Sequence, residues 1–374
     1  MGYVAVKGGT KAIEESLKSL KYERLKGKEV ASVNCIKKSM RGLIDMVMSE
    51  ASLYSEDLAA LAIKQGEGNI EEAVFLLRAY RSTLPRKHYS SITESDCMFV
   101  ERRISASFKD ILGGQILGAS YDYTHRLIDF DLIDESNEDA ENWINEYENS
   151  IGEEEYDINL RKLPKVLDYL RKDGILKDYE ENNKEPKDVT KKSLEFPTER
   201  SERLQILTRG QTGAVNSLGY SALRTSGLDD HPNVGELRVG MLPIYIDSPL
   251  VDEQDIEEQY YIGEIKVTEV ESFIPYCYKD DTGKDVRKLN IGYGLCYGQN
   301  ETKAIAMSIL DNCLNKKDNK YKVSDEEFVL LSIDSVESSG FISHLKLPHY
   351  VTFQSELDSV RKTGKGDKWY ENKV

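Results

Sequence analysis

Histidine and cysteine are both scarce in this chain, five of each in 374 residues. The cysteines (Cys35, Cys97, Cys277, Cys296 and Cys313) are scattered, odd in number and form no C-x-x-C pair. This pattern excludes a disulfide framework, argues against a cysteine-ligated zinc or iron–sulfur site and points to a reducing cytoplasm. No run of about 18 apolar residues occurs, so neither a transmembrane helix nor a membrane partner is expected. The opening residues lack the basic leader and apolar core of a signal peptide, and no myristoylation signal follows Gly2. Positive charge is in the minority: 50 Lys and Arg against 66 Asp and Glu leave a net charge of −16. A general nucleic-acid binder needs a broad basic surface, which this balance excludes. Also missing are a G-x-x-x-x-G-K-[ST] phosphate loop, a G-x-S-x-G elbow and a histidine close to any cysteine in sequence. Nucleophilic catalysis therefore has little support. No spacing singles out a carboxylate pair for glycoside chemistry.

What is present is 39% hydrophobic and 31% charged sequence, the balance of a soluble globular protein long enough for two domains. Residues 1–133 read as a mainly helical N-terminal region. Within it Ser55 precedes Glu56-Asp57, Asn69 precedes Ile70-Glu71-Glu72, and Gly66 and Gly68 lie between. That punctuation predicts a helical hairpin. Residues 134–195 read as an acidic, solvated connector with one helix near Leu163 to Leu170, outside the functional part. Residues 196–374 read as a mixed α/β C-terminal region. It is expected to hold strands at 239–246, 261–268 and 328–333, a helix capped by Asn300, and a frayed tail from Lys362. Helices early and strands late make the class α+β.

Two of the five histidines fall together in His344-Leu345-Lys346-Leu347-Pro348-His349. Imidazole is a common zinc ligand, the spacing is workable, and Pro348 fixes φ just before the second ring. Two ligands do not complete a tetrahedral site. The plainer alternative is a pair of partly buried histidines bonded to backbone carbonyls.

A second concentration runs from Glu101-Arg102-Arg103 through Lys109, Gly113-Gly114 and Gly118 to Tyr121-Asp122-Tyr123-Thr124-His125-Arg126. Glycines let backbone amides approach an anion, and arginines offer forked donors that match phosphate oxygens. In an acidic chain this suggests a phosphate-bearing ligand; a loop with ordinary surface arginines is the alternative. Arg200, Arg203 and Arg209 stand at helical spacing, most simply a solvated face. Gly292, Gly294 and Gly298 run into a helix, as an anion-binding turn or as close strand–helix packing.

Over nearly its whole length the sequence resembles the PhnI family, the I subunits of the bacterial carbon–phosphorus lyase system for phosphonate breakdown. The resemblance is carried by Phe75-Leu76-Leu77-Arg78-Ala79-Tyr80-Arg81, Glu101-Arg102-Arg103-Ile104-Ser105-Ala106 and Tyr121-Asp122-Tyr123-Thr124-His125-Arg126. It continues through Arg203-Leu204-Gln205, His231-Pro232, Gly292-Tyr293-Gly294-Leu295 and the segment from His344 to Tyr350. Residues 134–195 match poorly.

The resemblance implies a transferase in which methylphosphonate displaces adenine from ATP, giving alpha-D-ribose 1-methylphosphonate 5-triphosphate. With water as acceptor, the subunit alone is expected to act as a nucleosidase. The resemblance also implies a hetero-oligomer with G, H and J subunits and ATP-binding-cassette-type subunits of the system, two copies of this chain per complex. A zinc ion near the contact with the J subunit would take His344 and His349 as ligands, the J subunit or solvent supplying the rest. For the chemistry, Arg102, Arg103, Lys109, Arg126 and Arg203 are candidates for gripping phosphate, and Asp122 or His125 for protonating adenine. A non-catalytic scaffold that completes a partner's active site is the competing reading. A zinc phosphohydrolase is a third, weakened by the shortage of ligands.

Overall fold

Short polar side chains set three helix starts in the N-terminal region, at Ser32, Ser55 and Asn69, the last two as the sequence punctuation leads one to expect. The computed structural model describes residues 8–151, 163–176, 184–225, 230–247, 259–316, 321–347 and 349–364. Its helices before the sheet are α1 (Gly9–Leu25), α2 (Val33–Ser39), α3 (Arg41–Ala51), α4 (Glu56–Gln65) and α5 (Ile70–Thr83). After β1 (Phe99–Ile104) come α6 (Asn137–Ile151), α7 (Val166–Lys172), α8 (Arg200–Arg209) and α9 (Thr212–Arg224). Strands β2 (Asn233–Asp247), β3 (Gln259–Lys279) and β4 (Asp285–Tyr297) follow. The chain closes with α10 (Glu301–Asn315), α11 (Glu326–Ser332), α12 (Ser335–His344) and α13 (Tyr350–Thr363). The class is α+β. Among the described residues no helix is long and apolar enough to cross a membrane.

The chain divides into two units. One gathers residues 1–84, 209–211 and 330–374; the other holds 85–208 and 212–329. In the first, α4 and α5 form the expected hairpin: Ser55 Oγ accepts from Leu58 N at 3.4 Å, and Asn69 Oδ1 from Glu72 N at 2.9 Å. Their inner faces join Ile44, Val47 and Met48 of α3 in one apolar core. Beside that core Arg78, 9% exposed, donates to Asp334 at 2.7 and 2.8 Å, to Glu50 O at 2.8 Å and to Arg209 O at 3.0 Å. Asp334 also caps α12 by accepting from Val336 N and Glu337 N. Burial opposes ionisation of Asp334, but Arg78, the Glu337 amide and Arg209 together outweigh it and hold the carboxyl below its ordinary range.

The second unit is built on an antiparallel sheet in the order β1-β2-β3-β4. Its β2 and β3 contain both strands expected at 239–246 and 261–268. Residues 328–333, expected as a strand, fall instead largely on α11. Val329, Leu330 and Ile333 are buried while Phe328 and Leu331 are exposed, a helical spacing of inward positions that a short apolar run conceals. Asn300 occupies the first position before α10 but makes no side-chain cap; its backbone N–H donates to Thr268 Oγ1 at 2.9 Å. Gly292 and Gly294 lie within β4, where a Cβ would stand 1.9 Å from Ser308 O and 2.0 Å from Ala304 O of α10. Close strand–helix packing, not an anion turn, accounts for them. The acidic stretch 134–195 is more than a connector: Val166, Leu167 and Leu170 of α7 are buried against Phe273 of β3. The tail from 365 lies outside the described residues; α13 itself runs to Thr363.

Candidate functional site

Adjacent residues of a strand face opposite sides of a sheet, and this separates the two arginines of the Glu-Arg-Arg motif. Arg102, 3% exposed, points to the side covered by α10, where its Nε lies 3.0 Å from Glu301. Its remaining donors reach Asp122 and the carbonyl of Leu117. Gln299 Nε2 donates to Ala119 O and to Glu301 Oε1, both at 2.8 Å, tying the same loop to the start of α10. Gly118 has φ 58, and a Cβ there would meet Glu101 O at 2.7 Å, so the loop crosses β1 at a position only glycine fits. Asp122 is thereby held half-exposed by Arg102. Arg126 adopts φ 57, with its guanidinium 5.7 Å from the centre of the Tyr121 ring. His125 is exposed on the same loop, and Lys109 is exposed further back.

Arg103 turns the other way and is fully buried. It pairs with Glu236 and donates to the carbonyls of Leu112 and Pro164 (2.7 Å to the latter), which commits its guanidinium inward. The structure thus gives Arg103 a framework position, unlike the open phosphate contact expected of it. In register with it are Arg238 and Glu269; Glu271, two positions further along β3 and paired with Glu236 and Tyr293, shares that face. Lys165 Nζ sits between the two carboxylates, 3.0 Å from Glu269 and 3.2 Å from Glu271. Arg238 pairs with Glu269, and Tyr293 Oη donates to Glu269 at 2.9 Å. All the members are at most one-tenth exposed apart from the partly exposed Tyr293.

Those neighbours drive the two carboxyls apart. Burial opposes ionisation of Glu269, yet Arg238 and Lys165 overcome it and hold the group at about 2. Glu271 lies mainly under the influence of burial; Lys165 pulls it down and Glu269 pushes it up, leaving it at about 7. Its Oε2 is buried without a hydrogen-bond partner. Burial and the charge of Glu269 raise the Tyr293 phenol well above its ordinary value. Sequence reasoning missed this group. Charge alternating with apolar residues in β2 and β3 reads as a wet outer face, and Lys165 sits in a stretch whose acidic composition suggested solvent.

The arginines of α8 are not a solvated face. Arg200 forks onto the buried Asp311 at 2.6 and 3.1 Å, and Asp311 Oδ2 also accepts from Tyr293 N at 3.1 Å. Arg203 donates to Thr198 O at 2.9 Å and Asn315 Oδ1 at 2.6 Å and lies 3.5 Å from Glu326, again a framework position. Arg209 belongs to the other unit, 3.7 Å from Asp334, and burial beside Arg78 lowers it to about 10.

The two histidines also belong to that other unit, His344 ending α12 and His349 just before α13. Their ring centres are 5.5 Å apart. His344 Nδ1 meets Phe341 O, and His349 Nδ1 meets Leu347 O at 2.6 Å. A carbonyl only accepts, so each Nδ1 carries the hydrogen; in the neutral ring that leaves the lone pair on Nε2, the arrangement typical of metal-ligating histidines. Two imidazoles on one tetrahedral zinc, at about 2.0–2.1 Å per bond, hold their centres roughly 5 Å apart, so the separation of the two rings matches that of half such a site. Among the described residues no group of three His, Cys, Asp or Glu could hold a metal, so a metal on this pair would need its further ligands from elsewhere.

Residues 2–367 match the family described as PhnI, bacterial phosphonate metabolism protein. The chain is 41% identical to a protein designated HtxH from Stutzerimonas stutzeri, over 97% of this chain and 96% of that one. It is 40% identical to the alpha-D-ribose 1-methylphosphonate 5-triphosphate synthase subunit PhnI of Escherichia coli (strain K12), over 96% of this chain and 98% of that one. The subunit of the same name from Rhizobium meliloti (strain 1021) is 39% identical, over 96% and 94% respectively. On this evidence the chain belongs to the PhnI family of bacterial phosphonate metabolism proteins.

Proposed function

We propose that the chain is a catalytic subunit of an alpha-D-ribose 1-methylphosphonate 5-triphosphate synthase, working within a carbon–phosphorus lyase system. The observation that carries this reading is the match, over 96% of the chain, to two relatives that bear that activity in their names. In the reaction an oxygen of methylphosphonate attacks the anomeric carbon of ATP. The bond to adenine N9 breaks, its electron pair leaves with the base, and adenine gains a proton. Water in place of the phosphonate gives ribose 5-triphosphate, the nucleosidase reaction of the subunit alone.

Displacement through a sugar-cation-like state needs a gripped triphosphate, an aimed acceptor and a proton for the base. Arg126 and Lys109 offer exposed cations for the triphosphate. Asp122 and His125 are the candidate acids, Asp122 held in place by Arg102. Arg103 and Arg203 support the framework from inside. His344 and His349 would hold a zinc ion through Nε2, with the J subunit or solvent completing its shell. Bound there, the ion supplies a Lewis acid for an anionic oxygen. Cytoplasmic location and assembly, in two copies, with the G, H and J subunits and the ATP-binding-cassette-type subunits belong to the same proposal.

Product analysis tests it: the chain with ATP, alone and then with its partner subunits and methylphosphonate. Free adenine with an intact triphosphate, and a new phosphonate ester in the full mixture, are expected. Free phosphate would move the reading to a phosphohydrolase, and nucleotide binding without adenine release to a non-catalytic scaffold.

A further inference from the structure

We propose that residues 121–151 form a docking arm for a different subunit of the assembly, one that presents an apolar groove with a basic rim. The proposal rests on the reading of this chain as part of a multi-subunit synthase. All thirty-one residues from Tyr121 to Ile151 are exposed. Yet the segment is rich in large apolar side chains: Leu127 is 83% exposed, Ile128 80%, Phe130 70%, Ile133 76% and Trp143 62%. A contiguous display of that kind on a protein surface marks an interaction site.

The helical part repeats the pattern in ordered form. Helix α6 buries none of its residues. Ala140, Trp143, Ile144, Tyr147 and Ile151 nevertheless recur at the spacing of a single helix face. Trp143 and Tyr147 stack at 5.1 Å with an interplanar angle of 8°. An isolated helix of this length is marginal in water, and an amphipathic one gains its stability by laying the apolar face into a groove. Tryptophan and tyrosine are also the side chains that most often anchor interfaces.

Charge selects the occupant. Between 121 and 151 there are ten acidic residues and one arginine, a formal charge of −9 by difference, with histidine neutral, out of −16 for the whole chain. A second copy would bring the same negative arm to the same place, where like charges oppose association. A groove rimmed by lysine and arginine complements it. The base of the arm holds Asp122, His125 and Arg126, so a subunit seated on it would adjoin the candidate catalytic loop.

The test uses the full chain, alone and assembled with the other subunits of its system. Hydrogen exchange across α6 should slow at least roughly 100-fold on assembly. In a Trp369→Phe background Trp143 is the sole tryptophan, and its emission should shift to the blue. Trp143→Ala with Tyr147→Ala should weaken assembly by roughly 30-fold or more. Reversing Glu138, Glu141, Glu146 and Glu148 to lysine should weaken it further and remove its salt dependence. The changes at 138, 141, 143, 146, 147 and 148 touch no buried side chain, so they should leave the melting curve of the chain alone where it is. A complex that forms with α6 exchanging freely and Trp143 still exposed overturns the docking arm. Protection that appears in the chain alone as its concentration rises overturns the choice of a different subunit and substitutes a second copy. A complex that protects the arm but yields no ribosyl phosphonate leaves the arm standing and overturns the catalytic reading.

Discussion

Two glutamates two positions apart on one strand should respond in opposite senses to the same isosteric substitution. Glu269 sits between Arg238 and Lys165 and is ionised down to about 2, whereas Glu271 keeps its proton up to about 7. Glu271→Gln imitates the protonated form that the buried site prefers. Because the native carboxyl holds its proton to higher pH than the unfolded one, its contribution to stability is full below about 4.5. That contribution is lost as pH rises through about 7. Between those values the native state loses about 3 kcal/mol on this account, an upper scale set by about 1.4 kcal/mol per pH unit. Glu271→Gln should therefore stabilise the sheet unit at pH 8 by up to about 3 kcal/mol and change little at pH 4.5. Glu269→Gln leaves Arg238 buried beside a neutral amide and should cost about 3–5 kcal/mol at pH 8. Urea unfolding of wild type and both variants, followed by circular dichroism across this pH range, measures the difference directly. If Glu271→Gln destabilises at pH 8, or if its difference from wild type does not change with pH, the account of the buried network is wrong.

His344→Ala and His349→Ala should each lower zinc content, measured by atomic spectrometry, while moving the unfolding free energy by no more than about 0.5 kcal/mol, as befits rings near the surface. Undiminished zinc in both variants removes the histidines from metal binding. Arg102→Met frees the loop that carries Asp122 and should cut adenine formation by the assembled enzyme about 100-fold, a loss on the scale of a misplaced reacting group. Activity within a factor of two of wild type would detach that loop from the chemistry. Gly294→Ala places a methyl group 2.0 Å from Ala304 O, which should cost about 3 kcal/mol or more by overpacking. An unchanged thermal melt would show that α10 moves aside.

The hairpin of α4 and α5 was legible because Ser55 and Asn69 declare helix starts in the local sequence. The sheet strands β2 and β3 were legible from their alternation, but alternation is silent on what lies over each face. Glu236, Arg238, Glu269 and Glu271 look like a solvated side until the chain from Leu163 to Lys172 is laid across them. Neighbours in space but not in sequence decide the burial of a charge. The same limit explains Arg102 and Arg103, which read as a paired phosphate grip and are divided by the pleat. The segment 328–333 failed for another reason: a short apolar run carries too few residues to tell a period of two from one of 3.6. The histidine pair was visible through rarity alone, and the carbonyls that fix its tautomer were not.

Arg78 and Asp334 close their ion pair across 256 positions of sequence. A ribosome adding about 5–20 residues per second separates their emergence by on the order of 10–50 s. Throughout that interval the guanidinium lacks Asp334, and for the first half of it the carbonyl of Arg209, 131 positions on, as well. The segments of the sheet unit, by contrast, are all made before residue 330. Maturation therefore runs against the order of synthesis: the helices made first belong to the unit completed last. A nascent chain that stops short of α12 would leave those early helices, far from the break, without their closing pair.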